Sequence, residues 1–252
     1  MSSSVVEEAA ERPAPVTRPR RRPAAVLQSV LIGLGLLLLV GGFAVMAVDY
    51  RPYGIPTGSM SPTLKSGDTV LAREVGGSTV GRGDVVVFRD QAWGGQLMVK
   101  RVVAVGGDTV ATTGDGGRLT VNGKPVEEPY LASQGPQGST FSVDVPPGRL
   151  FVLGDNRQGS LDSRVHLEID GGTIAASEVE ARVEATVLPF GRTGLFARTS
   201  AFDAIGGAKA GEPGPLEPAF YACVAGGALI VLISAVGGVA GLTRRLRRRR
   251  AA

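Results

Sequence analysis

The sequence has almost no histidine, and His166 is its only one. A hydrolase that paired serine with histidine would have a single choice of base. His166 sits in Arg164-Val-His-Leu-Glu168, where nothing in the sequence pairs it with a nucleophile. Cysteine is equally scarce. Cys223 alone cannot close an intrachain disulfide, so it says nothing about the redox compartment. A zinc site of His and Cys ligands needs three or four and is excluded. Aromatic residues make up 5% of the chain against 37 glycines, which favours turns and strands over a large helical core. The middle of the chain also lacks excess positive charge. The formal charge is +4, but 11 of the 27 basic residues lie outside the two long apolar runs, leaving 16 against 20 acidic residues between them. A nucleic-acid reader carries its basic face on the folded domain, so no nucleic-acid partner is expected.

What the chain does have is two apolar runs. Residues 26–48 are nearly all Leu, Val, Gly and Ala, with only Gln28 and Ser29 polar. That is about the 20 residues a bilayer requires. Val45-Met46-Ala47 resembles a signal-peptide cleavage site, but the run is longer than the usual apolar core of about 7–15 residues, which favours a retained anchor. Residues 220–242 form the second run, with glycines of the kind membrane helices tolerate. A buried helix of a globular domain is the alternative there, and the Arg tail that follows argues against it. Basic residues precede the first run and follow the second. Excess Lys and Arg near span ends marks the cytoplasmic side, so both tails are expected inside the cell at the plasma membrane.

The expected organisation is a disordered tail over 1–23, a span over 24–48 and an extracytoplasmic domain over 49–198. A Gly-, Ala- and Pro-rich linker follows over 199–218, then a second span over 219–243 and a basic tail over 244–252. Between the spans, β-branched runs start at Asp68, Asp84, Met98, Leu119, Phe141 and Leu150, separated by Gly-Asp, Gly-Gly and Pro-Pro turns. Val121-Asn-Gly-Lys124 suits a tight hairpin. Residues 178–187 are compatible with a strand or a short helix. The fold class is mostly β, a β-domain flanked by two transmembrane helices.

Three segments carry chemistry. Ser59 lies in Pro56-Thr-Gly-Ser-Met60, where Gly58 is expected to free the backbone of an exposed turn. A hydroxyl needs a base to become a nucleophile. Lys100, in Met98-Val-Lys-Arg-Val-Val103, has an apolar setting that disfavours its charged form, and a lysine moved towards neutrality is a usable general base. The third segment, Gly154-Asp-Asn-Arg-Gln-Gly-Ser-Leu-Asp-Ser-Arg164, follows an apolar strand and is dense in hydrogen-bonding groups.

Together with Ser66-Gly-Asp-Thr-Val70, Arg82-Gly-Asp-Val-Val-Val-Phe88 and Glu128-Pro-Tyr-Leu131, these segments resemble type I signal peptidases, membrane endopeptidases with a Ser/Lys dyad. The resemblance runs from about Arg51 to Arg164. It implies that Ser59 is the nucleophile and Lys100 the general base. It implies that Thr57 and the Ser59 N–H form the oxyanion hole, that Ser160 orients the lysine amine, and that Asp162 and Arg164 form a supporting ion pair. It implies cleavage after a small-x-small motif in exported preproteins, at the lipid surface beside the export translocon, without metal or organic cofactor. Gln158 and Gly159 replace the usual Asp-Asn, Gly106 stands where proline is common, and Val165-His-Leu167 replaces the usual aromatic and glycine. The span between the lysine and final segments is short, implying a reduced second β-subdomain, and a carboxy-terminal second span is a variant arrangement. The alternatives are another Ser/Lys membrane peptidase, such as a pilin-type processing enzyme, and an inactive membrane-anchored binding protein.

Overall fold

The computed structural model describes residues 23–250 apart from 77–78, 113–116, 134–139 and 209. The expected tail over 1–23 and the last two residues therefore lie almost wholly outside the described residues. The chain divides into two compact units: one of residues 40–223, the other of 1–39 with 224–252.

Among the described residues there are two long helices, α1 (Pro23–Asp49) and α2 (Leu216–Arg250). Both are long and apolar enough to cross a membrane. Pro23 opens α1, where its missing N–H needs no intrahelical partner. The apolar side chains of α2 are not packed away as a globular core helix would require: Val231, Leu232 and Val239 are all exposed. In the helical unit the two helices meet through glycine. A Cβ on Gly35 would fall 2.9 Å from the Gly226 carbonyl, and one on Gly226 would fall 2.5 Å from the Gly35 carbonyl. Small residues at such crossings let membrane helices approach closely.

The other unit is a β-domain. Its strands are β1 (Tyr50–Gly54), β2 (Thr69–Glu74), β3 (Val85–Arg89), β4 (Leu97–Val105), β5 (Thr109–Thr112) and β6 (Leu119–Val121). They continue with β7 (Lys124–Pro125), β8 (Ser142–Asp144), β9 (Arg149–Leu153), β10 (Thr173–Ala175), β11 (Val179–Leu188) and β12 (Gly194–Leu195). The main antiparallel sheet runs β1-β2-β11-β3-β4-β9-β10, with β12 added to β11. A small sheet runs β7-β6-β5-β8. The architecture is mostly β, as the strand pattern implied.

The run Val85-Val-Val-Phe88 is apolar throughout because β3 is covered on both faces. Val85 and Val87 enter one core with Ile55, Met60 and Leu64. Val86 and Phe88 enter another with Val102, Val152 and Ile174. Alternation along a strand sends neighbours to opposite faces, so a doubly covered strand shows no polar positions. Residues 178–187 resolve into strand β11. At the β6–β7 hairpin Asn122 and Gly123 have φ of 53° and 74°, and Val121 pairs with Lys124. Two successive positive φ values are the signature of the turn that matches strand twist.

Residues 199–218 are not a free linker. Phe202 and Ile205 are buried in the core that holds Val103, Val110 and Phe151. Arg82 donates to the Gly206 and Ala208 carbonyls at 2.6 and 3.1 Å, and the Gly211 N–H donates to Asp84 at 2.9 Å. The Gly- and Pro-rich composition concealed two apolar anchors, and buried charges on the domain supply partners for the strap's backbone. The β-domain therefore extends past residue 198 to the start of α2.

Candidate active site

Ser59 lies in the segment that joins β1 to β2. Ile55 begins it, donating to the Asp68 carbonyl at 2.8 Å and accepting from Gly67 N–H at 2.9 Å. Ile55 before the serine and Met60 and Leu64 after it are buried, so side chains on both sides of the turn anchor it in the core. Gly58 does not have a positive φ, and a Cβ there would meet only Ser61 Oγ, at 3.5 Å. The expected backbone freedom at Gly58 is thus not what shapes the turn; the buried side chains on either side are.

Lys100 is on β4, opposite Val86 of β3, and is only 5% exposed. Its Nζ lies 3.1 Å from Ser59 Oγ and donates to the Val99 carbonyl, also at 3.1 Å. Burial pushes the Lys100 pKa down to about 8, against a smaller opposing pull from the Asp162 carboxylate. Thr57 is exposed, and its Oγ1 donates to Ser59 Oγ at 3.4 Å. The Ser59 N–H makes no hydrogen bond among the described residues. This pairing of a buried amine with a hydroxyl can deprotonate the hydroxyl whenever the amine is neutral.

The segment Gly154–Arg164 closes over the serine turn. Asn156 holds it twice: its N–H donates to the Ser59 carbonyl at 3.0 Å and its Nδ2 to the Gly58 carbonyl at 3.2 Å. Gly154 is required by close approach, since a Cβ there would fall 2.6 Å from the Ser59 carbonyl and collide with the Ser160 side chain. Asp162, fully buried, accepts from the Gly154 N–H at 3.0 Å and takes two bonds of 2.8 Å from Arg164. Arg164 also donates to the Arg157 carbonyl at 2.7 Å. Removing one member of a buried ion pair leaves the other uncompensated, at a cost of about 3–5 kcal/mol.

The structure brings Thr57, Ser59 and Lys100 together and pairs Asp162 with Arg164. It does not bond Ser160 to Lys100. Ser160 Oγ is buried without a hydrogen-bond partner among the described residues, and the second contact of the amine is the Val99 carbonyl instead. His166 is held elsewhere. Its ring stacks on Trp93 with centroids 4.0 Å apart, and Nδ1 lies 2.9 Å from the Asp162 carbonyl oxygen.

Two supports escaped sequence reasoning. One is Asn156. The other is Arg101, which binds Asp155 with bonds of 2.9 and 2.6 Å, while Thr63 Oγ1 donates to the same carboxylate. A second cation beside Lys100 on an apolar strand was the available signal, because a buried arginine demands an anionic partner.

Residues 26–188 match the family model for signal peptidase, peptidase S26. The chain belongs to this family. A probable signal peptidase I of Mycobacterium leprae (strain TN) is 34% identical over 77% of this chain and 86% of its own. Signal peptidase I U of Bacillus subtilis (strain 168) is 36% identical over 58% and 80%, and signal peptidase IB of Staphylococcus aureus (strain COL) 36% over 64% and 87%. A solved signal peptidase I from Enterococcus faecalis V583 is 30% identical, covering 40% of this chain and 93% of its own, at a TM-score of 0.34. That score is too low to bear on the fold, and the family membership rests on the sequences. This S26 peptidase therefore carries its Ser59–Lys100 contact within the matched region.

Proposed function

We propose that this peptidase removes signal peptides from exported preproteins by Ser/Lys chemistry, and that the close approach of Lys100 Nζ to Ser59 Oγ in a buried setting carries that reading. Ser59 Oγ attacks the scissile carbonyl carbon as its proton passes to the neutral Lys100 amine. The carbonyl oxygen becomes an oxyanion, received by the Ser59 N–H and the Thr57 hydroxyl. Preorganised donors of this kind are worth about 3–4 kcal/mol. Collapse breaks the C–N bond, and the Lys100 ammonium returns its proton to the leaving amine, which becomes the new amino terminus of the exported protein. Water then attacks the acyl-Ser59 ester, again giving its proton to Lys100; the acyl C–Oγ bond breaks, Lys100 returns that proton to Ser59 Oγ, and the signal peptide leaves with a free carboxylate. Asp162, held by Arg164, keeps the Gly154–Arg164 segment over the site. Ser160, whose hydroxyl has no hydrogen-bond partner among the described residues, would turn towards the amine to orient it once substrate is bound. No metal or organic cofactor is used.

The substrate enters from the membrane. Both helices span the plasma membrane, the tails lie in the cytoplasm, and the β-domain faces outward beside the lipid surface and the export translocon. Tags at residues 2 and 252 should both resist protease added to intact cells, whereas residues 49–218 should be cut. A carboxy terminus open to that protease would rule out the second span.

The recognised sequence has small residues at the first and third positions before the cut. Their side chains sit in shallow depressions beside Ser59, and a bulky one displaces the carbonyl from the nucleophile. A displacement of about 1 Å is worth roughly a hundredfold in rate. The purified protein in detergent, given a labelled preprotein, should cut once, after alanine or glycine, and should refuse phenylalanine at that position. Equal cutting of both would leave a Ser/Lys peptidase of another specificity. Absence of any cut by folded protein would favour a binding protein.

A further inference from the structure

Tyr50 is the first residue after α1, and Leu216 the first of α2; both are buried in the β-domain. The Tyr50 hydroxyl links them. It donates to Glu184 Oε2 at 2.7 Å and accepts from the Leu216 N–H at 3.0 Å. Glu184 is the hub of this joint. Its carboxylate also accepts from the Gly214 N–H at 3.0 and 3.1 Å and from Arg182 at 2.9 Å, and it lies 3.2 Å from Arg73 Nε. The hub exists because β11 bulges there. Val183 faces Ala72 and Ala185 faces Leu71, so Glu184 has no partner on β2. A bulge of this kind re-aims a side chain.

The strap is shaped to fit the hub. A Cβ on Gly214 would run into the Tyr50 hydroxyl, the Glu184 carboxylate and Arg73. A Cβ on Gly211 would run into Arg182, which itself donates to the Glu212 carbonyl. Burial and the neighbouring Glu184 carboxylate push the Tyr50 pKa upward, so the hydroxyl keeps its proton and remains a donor.

From this joint a single strand leads to the serine turn. β1 begins at Tyr50, pairs with β2 along its whole length, and ends at Gly54. Its five residues span about 17 Å. Ile55 then hands the chain to the segment that carries Ser59.

We propose that Tyr50 and Glu184 are positioning residues that tie the ends of both helices to one point of the sheet and so fix the reach of Ser59 towards a membrane-borne cleavage site. This rests on the signal-peptide reading given above. Neither residue touches the reacting atoms. The joint therefore matters for a substrate held in the bilayer and not for a short soluble peptide, which can approach Ser59 from any direction. A merely structural joint would affect both substrates alike.

The test compares two substrates on full-length wild type, Tyr50→Phe and Glu184→Gln, all reconstituted into phospholipid vesicles. One substrate is a preprotein inserted in the same vesicles, the other a soluble peptide spanning the same cleavage site. Tyr50→Phe removes one hydroxyl and keeps the packing, and peptide turnover reports that the domain is folded. Peptide kcat/KM should stay within about twofold of wild type, while preprotein kcat/KM should fall about tenfold or more through misplacement of the site. A parallel fall for both substrates, or no fall for either, would overturn the proposal. Wild-type turnover of the preprotein tests the functional reading separately: wild type that cuts it, with variants that keep the wild-type ratio, sinks the joint alone.

Discussion

Ser59→Ala should fold normally and lose roughly four to six orders of magnitude in turnover, the range seen when a nucleophile is removed from a working dyad or triad. The substitution deletes a hydroxyl whose contacts are with Lys100 and Thr57, and leaves Met60 and Leu64 to anchor the turn. The Ser59 carbonyl still accepts from Asn156. Residual activity would come from the backbone donor and from substrate positioning alone. Turnover within tenfold of wild type, measured on protein free of contaminating peptidase, would remove Ser59 from the mechanism.

Lys100→Met should be equally inactive, and more stable. Lowering the amine from 10.5 to about 8 means that the charged form is penalised in the folded protein by about 3 kcal/mol at most. The unfolded chain pays nothing. Below pH 8 that penalty is present in full. Between pH 8 and 10.5 the unfolded chain holds a proton that the folded one has released, so wild-type stability rises with pH. Methionine fills nearly the same space without the charge. The variant should therefore exceed wild type in denaturant stability at pH 7, and the difference should shrink towards pH 10.5. Lys100→Arg should be inactive for another reason, because a guanidinium stays charged and cannot accept a proton. A Met variant less stable than wild type at neutral pH would mean that Lys100 contributes attraction rather than a desolvation cost.

The site was legible to the extent that its chemistry is local. The serine turn, the lysine on an apolar strand and the Asp162–Arg164 pair each sit in a few consecutive residues, and each stands in the structure as a defined group. The two apolar runs were legible for a similar reason, since length and composition alone mark a helix able to cross a membrane. What escaped depends on long-range contact. Asn156 was one polar residue among many until its bonds to Gly58 and Ser59 were seen. Strands β5 and β10 are four and three residues long, too short for alternation to register. The strap over 199–218 has the composition of a linker, and only Phe202 and Ile205 betray that it packs. His166, the sole alternative base, carries no sequence mark of its stack on Trp93. Its position was settled by packing between segments more than 70 residues apart.

The most direct measurement of the Ser59–Lys100 chemistry is the pH dependence of kcat/KM for wild type beside His166→Ala. A Lys100 base predicts that the rate climbs about tenfold per pH unit below pH 8 and levels above it, as the amine loses its proton, with the His166 variant following the same curve. A rate that does not change between about pH 6 and about pH 9, or that is lost in His166→Ala, would contradict it.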